Sequence, residues 1–269
     1  MSQGYLQEIF SSFQGEGAAI EGSCYGLRQI FLRFAGCPLA LGVHGTKGCI
    51  WCDSPKAKLT EPKKCFLETQ VGEQSFKEIN NPLTPKEVVK IVKERSTRNL
   101  HSISLTGGEP LYQQQFLEDT IKLLKKEKYI IYLETAYTDD LNFLENIAED
   151  IDFSCVDIKD RSAQASINWE NLVHQEIQMC KILKNAGTRT FAKTVVTKSS
   201  KKQDIEFIAE LCGKIKIPLA IQLVSPVKGY NIIQPSWIQI QEFTEAAAKH
   251  LPPEQIGISI QMHKCINIL

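Results

Sequence analysis

The stretch Ile30-Phe-Leu-Arg-Phe-Ala-Gly-Cys37 contains the first clear pattern of a buried strand and runs directly into a cysteine. Similar apolar runs recur along the chain, and amphipathic helix-like runs separate them. This alternation predicts an α/β fold with a parallel sheet and crossover helices. We expect an open, partial TIM-like βα barrel with about six core parallel strands. The strand-like runs are Ile30–Phe34, Ile103–Leu105, Ile130–Glu134, Phe153–Ile158, Phe191–Val196, Leu219–Val224 and Ile256–Ile260.

Helical patterns fill most of the gaps between these strands. Thr84-Pro-Lys-Glu87 has the features of a helix start, namely a cap residue, an early proline and a glutamate that completes a capping box. We predict a single domain over residues 1–269, with insertions at about 38–48 and 55–81. Further helical patterns cover Phe116–Lys126, Glu176–Ala186, Gln203–Leu211 and Ile238–Lys249.

The composition excludes several classes of protein. Lys+Arg and Asp+Glu both number 31, so no net charge attracts nucleic acid or an anionic membrane. Neither a signal-peptide pattern nor an apolar stretch of membrane-spanning length is visible. The nine cysteines lack the spacing of a disulfide scaffold. We therefore expect a cytoplasmic protein in a reducing compartment, without a nucleic-acid or membrane partner.

Cys37, Cys49 and Cys52 form a triplet that ends in a Cys-x-x-Cys pair. Three thiolates suit a 4Fe–4S cluster with one iron open to a small molecule, whereas a structural zinc site needs a fourth ligand. His44 or Cys65 could supply that ligand, so a zinc site stays open at this point. A redox pair of Cys49 and Cys52 alone would leave Cys37 unexplained.

A second motif, Thr106-Gly-Gly-Glu-Pro110, follows another predicted strand. Its glycines allow the backbone to approach a ligand closely, and Glu109 adds a charged acceptor for a cationic amine. In parallel sheets, functional groups collect at the carboxyl ends of the strands. The groups that fall just after predicted strands are Cys37, Thr106–Pro110, Glu134, Asp157, Gln222 and His263.

The cysteine triplet and the Gly-Gly-Glu-Pro loop together resemble the radical S-adenosylmethionine superfamily. The resemblance implies that the three cysteines hold a 4Fe–4S cluster whose open iron chelates S-adenosylmethionine. Thr106, Gly107, Gly108 and Glu109 would bind the amino group of that cofactor. Asp157 and Lys159 would contact its adenosine portion, unless they form only a structural ion pair. Eleven residues instead of three separate the first two cysteines, so residues 38–48 would have to loop out.

Both ends of the chain carry polar residues that could belong to the same site. Gln14 and Glu16 flank Gly15, which would let the chain turn and aim both side chains into one pocket, although a capped surface turn has the same pattern. Arg33 lies in an otherwise apolar strand, where a guanidinium requires a carboxylate from a ligand or from the protein itself. His263 follows the last predicted strand.

All these motifs, in this order, resemble the 7-carboxy-7-deazaguanine synthase family of queuosine and 7-deazapurine biosynthesis. The resemblance implies a lyase that converts 6-carboxy-5,6,7,8-tetrahydropterin to 7-carboxy-7-deazaguanine by hydrogen abstraction at C6, ring contraction and loss of ammonia, with S-adenosylmethionine regenerated. It implies no catalytic side chain beyond the cluster and the cofactor-derived radical. It also implies Mg²⁺ at Ser54, a flavodoxin-like electron donor and a homodimer. The implied substrate-binding residues are Gln14, Glu16, Arg33, Glu134, Gln222, His263 and Leu269.

Two other functions are compatible with parts of the sequence. A radical S-adenosylmethionine activase, which installs a glycyl radical on a partner enzyme, would share the cluster and the Gly-Gly-Glu loop. It gives no reason for Gln14, Glu16 and His263 to converge. A non-enzymatic zinc-binding module would need a fourth ligand and does not explain both ends of the chain.

Overall fold

The computed structural model describes residues 2–226, 231–266 and 268. Ten strands of this part of the chain form one sheet in the order β10-β9-β8-β7-β6-β5-β2-β1-β3-β4. The strands are β1 Leu6–Phe13, β2 Arg28–Phe34, β3 Lys64–Glu68, β4 Phe76–Asn80, β5 Ser102–Gly107, β6 Ile131–Thr135, β7 Phe153–Asp157, β8 Arg189–Val196, β9 Leu219–Leu223 and β10 Ile256–Ser259.

Seven neighbouring strands, β2 and β5 to β10, are mutually parallel. Because β10 and β4 lie at opposite ends of the strand order, the sheet of the described residues does not close on itself. The predicted open, mostly parallel βα architecture is therefore confirmed, with one more parallel strand than the six expected. The carboxyl ends of these strands meet at one edge of the sheet, where the site lies.

The helices connect the parallel strands and cover the sheet. Their bounds are α1 Pro85–Arg95, α2 Gln114–Lys126, α3 Leu141–Ala148, α4 Trp169–Asn185, α5 Lys202–Ile215, α6 Trp237–Ala247 and α7 Met262–Cys265. Both hydrogen bonds of the predicted capping box are present: the Thr84 side chain accepts from Glu87 N, and the Glu87 side chain accepts from Thr84 N. Buried side chains such as Val88, Leu117 and Ile208 pack against the strands in one large core. No helix in the described ranges is long and apolar enough to cross a membrane.

The other end of the sheet consists of strands that the apolar pattern did not predict. β1 runs antiparallel to β2 and pairs Glu8 with Arg33. β3 and β4 lie within residues 55–81 and extend the sheet beyond β1. The side chains of β4 are mostly exposed, so this strand lacks the apolar face that would reveal it in the sequence. Residues 38–48 form neither helix nor strand and fold as consecutive turns.

Candidate active site

One large cavity lies at the carboxyl ends of the parallel strands. It contains about 1360 Å³ of space, including open solvent at its mouth. Every site residue predicted from the sequence lines this cavity, except Leu269, which lies outside the described residues. Residues from both ends of the chain thus surround the same space as the three cysteines and the Gly-Gly-Glu loop.

The three cysteines are free thiols at one wall of the cavity, each partly exposed. Burial raises the pKa of Cys49 to about 11 and also raises the pKa of Cys37, so these thiols stay protonated without a compensating cation. A bound metal centre would supply that positive charge, because metal binding displaces thiol protons. The donor set therefore fits an iron–sulfur cluster held by three thiolates.

The ligands considered for a zinc site lie elsewhere. Cys65 is fully buried on β3 and is absent from the cavity wall. His44 is held by contacts of its own, with Nδ1 3.3 Å from Ser166 Oγ and its ring edge-on to Tyr137. Among the residues that the structure describes, no three His, Cys, Asp or Glu side chains are placed to hold a single metal ion. These positions argue against the zinc module.

The Gly-Gly loop packs against the segment that leads into Cys37. A Cβ atom on Gly107, whose φ is +137°, would lie 2.3 Å from Phe34 O. A Cβ atom on Gly108 would lie 2.2 Å from Gly36 O and 2.5 Å from Ala57 O. The sequence suggested that these glycines allow approach to a ligand. The structure shows that they are also needed for close packing against the backbone around the first cysteine.

Gly108→Ala is expected to disturb the cysteine segment, because the added methyl group meets two backbone carbonyls that cannot rotate away. Overpacking of this kind costs roughly 1–3 kcal/mol of unfolding free energy. We expect a lower melting temperature and less iron bound after anaerobic reconstitution. Gly213→Ala is the matched control, since its Cβ would lie 2.5 Å from His250 O, outside the cavity. Equal iron contents in the two variants would contradict the coupling between the glycine loop and the cysteines.

Glu109 holds the glycine loop to the end of β6. Its carboxylate accepts hydrogen bonds from Leu111 N at 3.1 Å, Thr135 Oγ1 at 2.7 Å, Ala136 N at 2.9 Å and Tyr137 N at 3.0 Å. Burial raises the pKa of Glu109 to about 7, although the hydrogen bonds from these donors act to lower it. Most of the acceptor capacity of Glu109 is thus used inside the protein, which leaves backbone carbonyls of the loop as the more available acceptors.

A buried lysine joins the acidic groups on the cavity floor. Lys193 of β8 is 3% exposed, and its Nζ donates to Glu16 Oε2 and, at 2.9 Å, to Glu134 Oε1. Asp157 Oδ2 lies 3.5 Å from the same nitrogen. Glu134 also accepts a hydrogen bond of 3.0 Å from Thr106 Oγ1. Lys193 therefore connects β6, β7 and β8 to the amino-terminal turn.

The charges of this cluster depend on one another. Burial lowers the pKa of Lys193, but the nearby carboxylates outweigh burial and hold that pKa well above its usual value. Burial likewise raises the pKa of Glu16, yet Lys193 outweighs it and holds the pKa well below its usual range. The pKa of Glu134 is raised, mainly by burial. Lys193 and Glu16 are therefore charged at neutral pH, while Glu134 takes up a proton more readily than an ordinary carboxylate.

Lys159 and Asp157 form the ion pair that the sequence left as an alternative, with 2.9 Å between Nζ and Oδ2. Both residues also line the cavity, so the structure combines the ion pair with a position beside the site. Asp157 Oδ1 is buried and has no hydrogen-bond partner within the described part of the chain. A buried acceptor without a partner is costly, so this atom is placed to receive a donor from a ligand.

The two chain ends meet at the mouth of the cavity. Met262 N donates to Gly15 O at 3.0 Å, and a Cβ atom on Gly15 would lie 2.1 Å from His263 Nδ1. Gly15 is therefore required for close contact with the His263 ring, as well as for the turn. Gln14 is buried, and its side chain accepts from Glu16 N at 3.1 Å and donates to Gln29 Oε1.

Arg33 has a carboxylate partner within the protein. Its Nε lies 3.0 Å from Glu8 Oε2, and its Nη1 donates to Ser54 Oγ at 2.9 Å. The guanidinium also lies over the Phe10 ring, 5.5 Å from the centroid. The salt-bridge explanation for Arg33 is therefore realised, although the side chain still lines the cavity.

Lys193, Gln261 and Asp53 were not identified from the sequence, although all three line the cavity. Gln261 Nε2 donates to Glu16 Oε1 at 2.5 Å and to Asp53 Oδ2 at 2.9 Å. For Lys193 a signal was present, because a single lysine in the mostly apolar run Phe191–Val196 resembles Arg33 in the apolar run Ile30–Phe34. Gln261 directly follows the predicted strand Ile256–Ile260, the position that also singled out His263, whereas Asp53 stands in a polar segment and carries no comparable signal.

Comparison with protein families identifies the superfamily and the relatives of this chain. Residues 35–212 match the Radical SAM superfamily. The chain is 37% identical over 265 residues to a 7-carboxy-7-deazaguanine synthase of Thermococcus kodakarensis, with 98% of each chain covered. It is 31% identical to a 7-carboxy-7-deazaguanine synthase of Methanocaldococcus jannaschii, over 98% of this chain and 100% of the relative.

Solved structures agree with the fold. A radical SAM methyltransferase from Sphaerobacter thermophilus superposes with a TM-score of 0.57 over 87% of this chain and 66% of its own, at 14% identity. Streptococcus suis SuiB bound to S-adenosylmethionine superposes with a TM-score of 0.51 over 68% of this chain and 45% of its own, at 16% identity. At these identities the likeness concerns the fold alone.

Proposed function

Because the chain belongs to the 7-carboxy-7-deazaguanine synthase family within the radical S-adenosylmethionine superfamily, we propose that it converts 6-carboxy-5,6,7,8-tetrahydropterin to 7-carboxy-7-deazaguanine, with hydrogen abstraction at C6, ring contraction and loss of ammonia. The activase alternative is not favoured, since the full-length relatives are named as synthases. The observation that carries the proposal is the convergence of the polar residues of both chain ends on the cavity that the three cysteines line.

Superfamily membership implies a 4Fe–4S cluster and S-adenosylmethionine, which when bound supply a 5′-deoxyadenosyl radical. We assign Cys37, Cys49 and Cys52 to the cluster. Thr106, Gly107, Gly108, Asp157 and Lys159 would bind S-adenosylmethionine. Glu109 would act indirectly, by holding the glycine loop in place through the four hydrogen bonds that it accepts.

The acidic cluster on the cavity floor suits the donor-rich pyrimidine edge of a pterin. Glu16 and Glu134 offer acceptors there, and Lys193 fixes both carboxylates in position. Gln14 and Gln222 are buried amides of the same wall and would complete the recognition of the ring. The carboxylates of Glu16, Glu134 and Asp157 have only two ammonium groups near them, those of Lys159 and Lys193. The cavity floor therefore favours a ligand that donates hydrogen bonds or carries positive charge.

Arg33 and His263 line the cavity, and Arg33 is the residue proposed to receive the substrate carboxylate. Glu8 and Ser54 hold Nε and Nη1 of the guanidinium, so Nη2 is the nitrogen proposed to donate to the carboxylate. Ser54 lines the same space, so we propose its Oγ as a ligand of Mg²⁺, which takes few protein ligands and keeps several waters. The proposed contribution of Leu269 falls outside the described residues.

The remaining features of the proposal concern the protein as a whole. The chain is a single domain with insertions at about 38–48 and 55–81, supported by the continuous ten-stranded sheet. It forms a homodimer and receives electrons from a flavodoxin-like donor. All nine cysteines lie in described residues and are free thiols, which suits a reducing compartment such as the cytoplasm.

The direct test is anaerobic reconstitution with iron and sulfide, followed by incubation with dithionite, S-adenosylmethionine, Mg²⁺ and 6-carboxy-5,6,7,8-tetrahydropterin. We expect 7-carboxy-7-deazaguanine by mass spectrometry, with S-adenosylmethionine not consumed in proportion to product. Formation of 5′-deoxyadenosine without the deazapurine would contradict the substrate while retaining the superfamily chemistry.

A further inference from the structure

We propose that Gln29 and Ser102 are positioning residues, which lie beneath the cavity and fix the orientation of the Gln14 amide toward the substrate. Neither residue lines the cavity, and both are buried, with exposed fractions of 0% and 1%. The inference rests on the proposed function, because it takes Gln14 as a residue that binds the pterin.

Gln29 lies on the cavity side of β2, below the residues that line the cavity. Side chains of a strand alternate between the two faces of a sheet, so Gln29 shares its face with Phe31 and Arg33, which line the cavity. Ser102 is the register partner of Gln29 on β5, the parallel neighbour of β2. The two residues therefore form a polar pair beneath the site.

A row of hydrogen bonds connects this pair to Gln14. Gln14 Nε2 donates to Gln29 Oε1 at 3.1 Å, and Gln29 Nε2 donates to Ser102 Oγ at 2.8 Å. Ser102 Oγ also lies 3.0 Å from Nδ1 of the half-buried His101. Gln29 thus uses its carbonyl oxygen for Gln14 and its amide nitrogen for Ser102.

The backbone of the amino-terminal turn sets the direction of this row. Glu16 N donates to Gln14 Oε1 at 3.1 Å, and a backbone N–H can only donate. A Gln14 amide rotated by half a turn would place its NH₂ group against Glu16 N–H and its carbonyl oxygen against Gln29 Oε1. Because buried polar groups need matching partners, only the observed orientation of Gln14 satisfies both neighbours.

An oriented Gln14 amide offers a defined pattern to a ligand. Its oxygen has two lone pairs and its nitrogen two hydrogens, and Glu16 N and Gln29 use one of each. One acceptor and one donor remain on a fixed group that lines the cavity. A ring amide, in which C=O stands next to N–H, is the complementary partner, and the pyrimidine ring of a pterin contains one. Gln29 and Ser102 therefore act on substrate recognition through Gln14.

The experiment compares Gln29→Met with Gln29→Glu. Methionine matches glutamine in length but offers neither a carbonyl oxygen nor an N–H group. A glutamate buried here takes up a proton, so that its carbonyl oxygen can accept from Gln14 and its hydroxyl can donate to Ser102. With dithionite as the reductant, we expect Gln29→Met to raise KM for 6-carboxy-5,6,7,8-tetrahydropterin about tenfold and to change kcat less. Gln29→Glu should restore most of the affinity.

Ser102→Ala and Ser104→Ala form a second matched pair. Ser104 is the next residue on the same face of β5 and is fully buried, but its Oγ has no hydrogen-bond partner within the described ranges. We expect Ser102→Ala to raise KM and Ser104→Ala to leave KM unchanged. An unchanged KM in Gln29→Met, an equal rise in Gln29→Met and Gln29→Glu, or equal effects of the two serine variants would overturn the positioning role.

A measurement without substrate separates this inference from the proposed function. The side-chain amide of Gln14, labelled with ¹⁵N and identified by its absence from Gln14→Glu, should exchange hydrogen with solvent slowly in wild type and in Gln29→Glu. In Gln29→Met the exchange should be faster, because the amide has lost its acceptor. Equal exchange rates in all three proteins would overturn the inference. If wild type formed no deazapurine, the proposed function would fail, while the exchange rates would still decide whether Gln29 holds Gln14.

Discussion

Cys49→Ala is expected to abolish both cluster assembly and turnover. Cys49 is the middle cysteine of the triplet, and its carbonyl accepts a hydrogen bond of 3.4 Å from Cys52 N. Two remaining thiolates cannot hold a cluster that needs three protein ligands. After anaerobic reconstitution, the variant should lack the visible absorption of the cluster, contain almost no iron, and form neither 5′-deoxyadenosine nor deazapurine.

Cys65→Ala is the control, because Cys65 was the other candidate for a metal ligand and is buried in the core away from the cavity. Removal of a buried thiol there should lower the unfolding free energy modestly and leave iron content and turnover unchanged. Loss of metal in both variants would restore the zinc hypothesis. Full activity of Cys49→Ala would show that Cys49 is not a ligand of the cluster.

Lys193→Met is expected to reduce turnover by about a hundredfold or more, since displaced binding groups commonly cost this much. Methionine is similar in length but carries no charge, so Glu16 and Glu134 would lose their shared partner. Removal of one partner from a buried ion pair costs about 3–5 kcal/mol of unfolding free energy. The two carboxylates would take up protons or separate, and either response disturbs the surface proposed to bind the pterin. Steady-state kinetics measures the loss of turnover, and thermal unfolding measures the loss of stability.

The control for Lys193 is Lys125→Met, which removes a partly exposed ion pair with Asp152. Such pairs contribute about 0–1 kcal/mol, so this variant should be nearly as stable as wild type. Iron content and 5′-deoxyadenosine formed without substrate should be preserved in Lys193→Met, which separates a role in substrate positioning from a role in cluster assembly. The double variant Lys193→Met with Glu134→Gln should regain part of the stability, because only Glu16 then lacks its partner, and should stay inactive, because Glu134 is also proposed to bind the pterin. Recovery of activity would show that Lys193 acts only through stability.

The sequence was sufficient to predict the parallel part of the fold, because buried parallel strands such as Phe191–Val196 are nearly continuous apolar runs. It was not sufficient for β3, whose apolar run Cys65–Leu67 is only three residues long, or for β4, which is mostly exposed, and both strands extend the sheet only by pairing at its edge. The helix α3 was also missed, since its eight residues are too few for a clear helical period.

For the site, too, the sequence predicted some features and not others. The motif residues line one cavity, because parallel strands bring their carboxyl ends together. The partners of those residues could not be predicted. Glu8 reaches Arg33 only through the register of β1 with β2, and Gln261 reaches Glu16 only because the two ends of the chain meet. Such contacts depend on tertiary pairing, which no local pattern in the sequence contains.

The meeting of the two ends has a consequence for how the protein is made. The cysteines and the glycine loop are translated early, whereas Gln261 and His263, which close the cavity, emerge from the ribosome long after them. A nascent or truncated chain could therefore present its thiols to iron before it could exclude solvent or recognise a substrate. Maturation would then be ordered by translation, with radical chemistry confined to chains whose last helical turn, Met262–Cys265, has docked against the amino-terminal turn.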